Sequence, residues 1–79
     1  MTPGRLRWLC RRGMLELDAW LSGYLDTRYP AASPRLQADF AALLAQDDMS
    51  LYDWLTGEGV PPESFRAVVA AIRTYRIPS

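Results

Sequence analysis

Histidine and lysine are absent from this chain of 79 residues, and cysteine occurs once, at Cys10. Without histidine there is no His-based triad and no histidine metal site; without lysine there is no Schiff-base chemistry. A structural zinc site would need four ligands that the sequence does not offer, and a single thiol cannot form a disulfide within the chain. No apolar run approaches the roughly 20 residues of a membrane span, and no apolar stretch has the character of a secretory signal. The lone thiol suits a reducing setting, so a cytoplasmic home and no membrane insertion are expected. With most catalytic side chains missing, the composition argues for a binding module and against an enzyme.

What is present makes one small domain. A chain of this length buries at most roughly 60% of its unfolded surface, enough for a single thin core and too little for a deep substrate cavity. Hydrophobic residues are 49% and charged residues 23% of the whole, a balance that folds. The nine basic residues are all arginine and are cancelled by nine acids. The cancellation hides an asymmetry: Arg5, Arg7, Arg11 and Arg12 fall in residues 1–12 with no acid. Asp39, Asp47, Asp48, Asp53, Glu58 and Glu63 fall in residues 39–63 with no base.

Helical periodicity runs through nearly the whole chain. Leu6, Leu9 and Cys10 fall at i, i+3, i+4; Leu17, Leu21, Tyr24 and Leu25 repeat at i, i+4, i+7, i+8, as do Leu36, Phe40, Leu43 and Leu44. Leu51, Trp54 and Leu55 form a shorter set, and Phe65, Val68, Val69 and Ile72 a full stripe. Each set places its apolar side chains on one face of a 3.6-residue helix. No window alternates with the period of a strand. The punctuation agrees. Pro3-Gly4 precedes the first helix, and Gly13 interrupts the pattern before the second. Tyr29-Pro30 ends the second helix, because the residue before proline avoids the α region. Ser33-Pro34 opens the third as an N-cap followed by proline, and Ser50 with Asp53 resembles a capping box opening the fourth. Gly57 and Gly59 stop that helix, and Pro61-Pro62-Glu63 opens the fifth. The pattern predicts an all-α, compact five-helix bundle, a single domain over residues 1–79 with its core at about 5–75. Its helices are expected near 4–12, 14–28, 34–46, 50–57 and 62–76, with residues 77–79 frayed.

The segment Arg11-Arg12-Gly13-Met14-Leu15-Glu16-Leu17-Asp18 stands apart. Leu17, Leu21 and Leu25 point one way on the second helix, and Glu16 lies about 100° round from Leu17, near Trp20 one turn on. Nothing on the core side calls for an acid there. Gly13 lets the backbone bend and leaves no side chain over the surface. Arginine on one side and a carboxylate on the other form a patch suited to docking a protein closely. The plainer reading of the same residues is a C-cap glycine, a cation compensating a helix end, and a first-turn acid.

The run Arg5-Leu6-Arg7-Trp8-Leu9-Cys10-Arg11-Arg12-Gly13-Met14-Leu15-Glu16-Leu17-Asp18 resembles the signature of the FAD assembly factors of succinate dehydrogenase, whose hallmark is Arg-Gly-x-x-Glu. The similarity continues through Tyr24–Tyr29, Phe40-x-x-Leu43-Leu44, Asp47-Asp48, Leu51-Tyr52-Asp53-Trp54-Leu55 and the last helix, covering about residues 5–75. Leu15 departs from the pattern, being apolar where that position is often charged. The stretch after Ile72 is short, so no function of a longer tail carries over. The resemblance implies an assembly chaperone that promotes covalent attachment of FAD to the flavoprotein subunit of succinate dehydrogenase, and in some bacteria of fumarate reductase. It implies no cofactor of the chain's own, since FAD is attached to the client. It puts Arg12, Gly13 and Glu16 against the client, with Arg11, Trp8 and Arg7 as neighbouring client-binding candidates. The attachment chemistry belongs to cofactor and client, and the factor's share is orientation and a shift in the client's conformational population. Direct proton transfer by Glu16 is disfavoured, because nothing in the sequence perturbs an exposed carboxylate there.

The remaining features have simpler readings. Trp54 is expected in the core, and Trp8, off the apolar face and between arginines, is an interface anchor or a platform for an arginine within the fold. Cys10 is read as a buried small hydrophobe, and Tyr24, Tyr29 and Tyr52 as wedges at helix ends. Asp47-Asp48 lacks calcium-loop spacing and is a solvated loop or cap. Zero net charge, no lysine and no polar recognition helix argue against nucleic acid. A monomer is expected, and the competing function is a small helical regulator such as an antitoxin-like partner protein.

Overall fold

A computed structural model describes residues 2–76, the side chains of Pro3 and Arg76 excepted, so the expected fraying at 77–79 lies outside the described residues. The chain runs through α1 (Pro3–Leu9), α2 (Leu15–Thr27), α3 (Pro34–Leu43), α4 (Asp48–Thr56) and α5 (Arg66–Arg76), with 3-10 turns at Tyr29–Ala31 and Glu63–Phe65. Among the described residues there is no strand. The five-helix expectation therefore holds, and the differences lie at the helix ends.

Those ends follow local chemistry. Helix α1 starts at Pro3, not after it, because the Thr2 hydroxyl accepts from the Arg5 N–H at 3.3 Å and proline occupies the first turn, where no N–H is needed. It stops at Leu9, short of residue 12, and Cys10 caps it. Ser33 caps α3 as expected, its hydroxyl accepting from the Leu36 N–H at 3.2 Å. The expected Ser50–Asp53 capping box does not form. Asp47 is the N-cap of α4, its carboxylate accepting from the Ser50 N–H at 3.2 Å and from the Ser50 hydroxyl at 2.7 Å. Aspartate outcompetes serine because an anion at this end also meets the positive pole of the helix. Gly57 ends α4 with φ of +88°, a conformation glycine adopts without a Cβ penalty. Gly59 then donates its N–H back to the Asp53 carbonyl at 3.0 Å.

Helix α5 packs against α2, α3 and α4 and closes the bundle. Its Val68, Val69 and Ile72 share one buried cluster with Leu17, Leu21, Tyr24 and Leu25 of α2, and Phe40, Leu43, Leu44, Leu51 and Leu55 belong to the same set. Leu6 and Cys10 seal the edge under α1. Phe40 is the aromatic hub: Tyr24 lies 5.2 Å and Tyr29 5.5 Å from it, ring centre to ring centre, in tilted contacts. Tyr24 is thus a core residue and not a peripheral wedge. Trp54 is half-buried rather than central, tilted on Phe65 at 5.9 Å, and Tyr52 stacks on Trp20 at 6.0 Å.

The buried thiol gives the fold a pH signature. Burial pushes Cys10 up to about 11 from its ordinary 9.0, against a smaller pull from Arg12 and Arg7, and burial also raises Tyr24. Both groups are neutral when protonated. Between pH 9.0 and about 11 the unfolded chain releases the Cys10 proton while the folded chain keeps it. Stability is therefore full below that window and falls as pH rises through it, by about 1 kcal/mol at pH ~10 from the thiol alone. Urea titrations of the parent and of Cys10→Ala at pH ~8 and ~10 check this: the alanine variant, though weaker at both, should lose less between them. At neutral pH the native thiol should not react with a thiol reagent until the chain unfolds.

Candidate functional site

The corner between α1 and α2 is built from backbone up. Once α1 stops at Leu9, the N–H groups of Arg12 and Gly13 have no helical partner. Gly13 adopts φ of +84°, which turns the chain and presents both N–H groups to one carboxylate further on. Asp18 accepts from Arg12 N–H through Oδ1 at 2.5 Å and from Gly13 N–H through Oδ2 at 3.3 Å. The N-cap of α2 is Met14, whose side chain makes no capping bond. Asp18 therefore fastens the entry to α2 from inside the helix, as a charge-assisted clamp on two successive N–H groups.

Arg12 turns the other way. Its guanidinium donates to the Leu44 carbonyl, to the Gln46 carbonyl at 3.2 Å and to Asp48 Oδ1 at 3.4 Å, and its side chain is only 15% exposed. These acceptors are the C-cap of α3, the following turn and the first residue of α4. The plainer reading of Arg12, a cation compensating a helix end, is thus correct in kind, but the helix is α3 and not α1. The basic N-terminal segment and the acidic middle of the sequence meet here, through Arg12 and Asp48. Gly13 is likewise not the C-cap of α1, and Glu16 does lie in the first turn of α2.

The outward surface of the corner is different. Arg11, Gly13, Leu15 and Glu16 are all exposed, and a Cβ built on Gly13 would meet nothing within 4 Å. Among the described residues neither Arg11 nor Glu16 forms an ion pair. Leu15 is 85% and Trp8 67% exposed, large apolar areas for so small a molecule. Trp8 is tied to the same corner through its carbonyl, which accepts from the Arg11 N–H at 3.1 Å. Arg7 lies elsewhere: it donates to Asp26 at 2.5 Å, and Asp26 is eight residues beyond Asp18, about 12 Å along α2. That hydrogen bond raises Arg7 and holds the Asp26 carboxyl below the usual carboxylate range.

Asp18 went unassigned in the sequence. Its signal is an acid five and six residues beyond two loop residues that follow a helix, in a helix whose N-cap position holds methionine. Among the described residues no group of three His, Cys, Asp or Glu could hold a metal ion. Two shallow grooves, of about 290 Å³ beside Tyr24, Arg28 and Tyr75 and about 310 Å³ beside Arg7, Leu25 and Tyr29, lie away from it. No helix among the described residues is long and apolar enough to cross a membrane.

Comparison with known proteins gives these features a family. Residues 4–76 match the family described as flavinator of succinate dehydrogenase. The chain is 39% identical over 70 residues to the FAD assembly factor SdhE of Coxiella burnetii, covering 87% of this chain and 85% of that protein. It is 39% identical over 69 residues to the protein of the same name from Legionella pneumophila, covering 87% of each. With that of Vibrio vulnificus it is 44% identical over 55 residues, which spans 70% of this chain and 64% of the Vibrio protein. An all-helical chain, matched from its first helix to its last, belongs to the family of flavinators of succinate dehydrogenase, the FAD assembly factors, which are assembly chaperones and not enzymes.

Proposed function

We propose that the exposed side of the α1–α2 corner is the client-docking surface of an assembly factor that promotes covalent flavinylation of the flavoprotein subunit of succinate dehydrogenase. The observation that carries this reading is the combination at Gly13: a bare, outward-facing backbone at φ of +84°, clamped from behind by Asp18. Exposed Arg11 and Glu16 beside it offer charges of both signs, which set orientation and register more than affinity. Leu15 and Trp8 supply the apolar area that makes such a contact hold.

The factor acts by binding one arrangement of the client better than others, which shifts the client towards the arrangement in which flavin attachment proceeds. FAD belongs to the client throughout, and Glu16 orients rather than transfers a proton. Fumarate reductase is a second client on the same surface. The factor works as a monomer in the cytoplasm, where a reduced, buried Cys10 is at home. The family match over residues 4–76 gives no support to an antitoxin-like role.

The test is co-expression with candidate flavoprotein subunits, reading covalent flavin by fluorescence in a denaturing gel. Glu16→Ala and Trp8→Ala should each weaken client binding about tenfold, the scale of one good interface contact. Arg35→Ala, on the exposed face of α3, should leave it unchanged. Equal losses in all three variants would refute the surface. A yellow complex of the isolated factor with FAD would contradict the assignment of FAD to the client.

A further inference from the structure

We infer that Asp18 is the positioning residue of the docking corner: its carboxylate holds the Arg12 and Gly13 N–H groups so that Gly13 and Glu16 are displayed outward together. The inference rests on the docking reading above and adds a residue that the Arg-Gly-x-x-Glu pattern does not contain.

The geometry divides two neighbouring acids between two tasks. Glu16 and Asp18 are two positions apart, about 200° round the helix, so they leave α2 on nearly opposite sides. Glu16 is exposed, whereas Asp18 is half-buried and turned back onto the chain that enters the helix. Each of its oxygens takes one N–H, Oδ1 from Arg12 at 2.5 Å and Oδ2 from Gly13 at 3.3 Å. An asparagine offers only one acceptor oxygen in the same shape and would release one of the two. A glycine at positive φ, here Gly13 between Arg12 and Met14, is otherwise among the least constrained points of a backbone. The clamp converts that freedom into one conformation, and it also aims Arg12 inward, where its guanidinium meets the Leu44 and Gln46 carbonyls and Asp48. Asp18 and Arg12 thus act in series on the same corner, and neither presents its side chain on the outward surface.

The experiment compares Asp18→Asn and Asp18→Glu with Glu16→Ala and Arg12→Ala in the full-length chain. It measures client affinity, covalent flavin and residue-resolved amide exchange. Asp18→Asn should speed exchange at the Arg12 and Gly13 amides by roughly tenfold or more and weaken client binding about tenfold, with helical circular dichroism retained. Asp18→Glu, which keeps both oxygens, should bind the client within about threefold of the parent and serves if the asparagine variant fails to fold. Combining Asp18→Asn with Arg12→Ala should weaken binding no further than Arg12→Ala alone, whereas adding Glu16→Ala should weaken it again. Parent-like client binding by Asp18→Asn, with Glu16→Ala still impaired, overturns the positioning role and leaves the docking surface standing. Parent-like binding by both overturns the docking reading and the positioning role together.

Discussion

Gly13→Arg should keep the helical circular dichroism of the parent and lose client binding by more than about 100-fold, with covalent flavin on a co-expressed client falling to the level without the factor. The two halves of this expectation have separate causes. A non-glycine residue at φ of +84° is strained by roughly 1–2 kcal/mol, which lowers the melting temperature by about 5–10 °C in a domain of this size. No clash adds to that, because a Cβ at this point meets nothing within 4 Å. The new side chain therefore stands out from the surface that the client must approach, and it adds a third positive charge beside Arg11 and Arg12. Gly13→Ala separates the causes. It carries the same backbone strain without the bulk, so it should melt like the arginine variant and still bind the client within about fivefold. If alanine and arginine impair binding equally, strain in the corner and not coverage of the surface is responsible.

How far the sequence foretold this arrangement depends on the range of the interactions involved. The buried faces are largely legible: Leu17, Leu21, Tyr24 and Leu25 are all in the core, as are Phe40, Leu43, Leu44, Val68, Val69 and Ile72, while Leu9, Leu36, Trp54 and Phe65 of the same stripes are only partly buried. A 3.6-residue period is a property of one helix and needs no knowledge of its neighbours. Helix ends were legible where one local signal dominates, as at Ser33 and Gly57, and misread where two compete, as at Asp47 against Ser50. The exposure of Gly13 and Glu16 was also local, since nothing on the apolar stripe requires them. The tasks of Arg12 and Asp18 were not. The Arg12 acceptors lie 32 to 36 residues away, and no periodicity encodes which turn a long side chain will reach. Trp8 shows the same limit from the other side. Its place off the apolar face was clear from spacing, but only the folded chain shows it 67% exposed.

Removing the Arg12 side chain should be the most damaging single change to the corner in stability, and it should impair function as well. Arg12→Ala takes away three hydrogen bonds at once, to Leu44, Gln46 and Asp48. The Leu44 carbonyl belongs to a residue only 1% exposed, so water replaces the lost donor poorly there. The expected cost is about 2 kcal/mol, or a fall of about 10 °C in melting temperature for a domain of this length, checked by thermal circular dichroism. Arg12→Lys should recover only part of this, because an ammonium is a point charge and cannot span three acceptors as a planar fork does. The consequence for the client follows from what Arg12 joins. Its guanidinium is the tie between the α1–α2 corner and the α3–α4 turn, so its loss frees the corner even in molecules that remain folded. Client binding should therefore stay impaired at low temperature, where the variant's helical signal equals that of the parent. A variant that regains full binding once it is folded would mean that Arg12 stabilises the bundle alone, and that the corner keeps its shape through Asp18 without help.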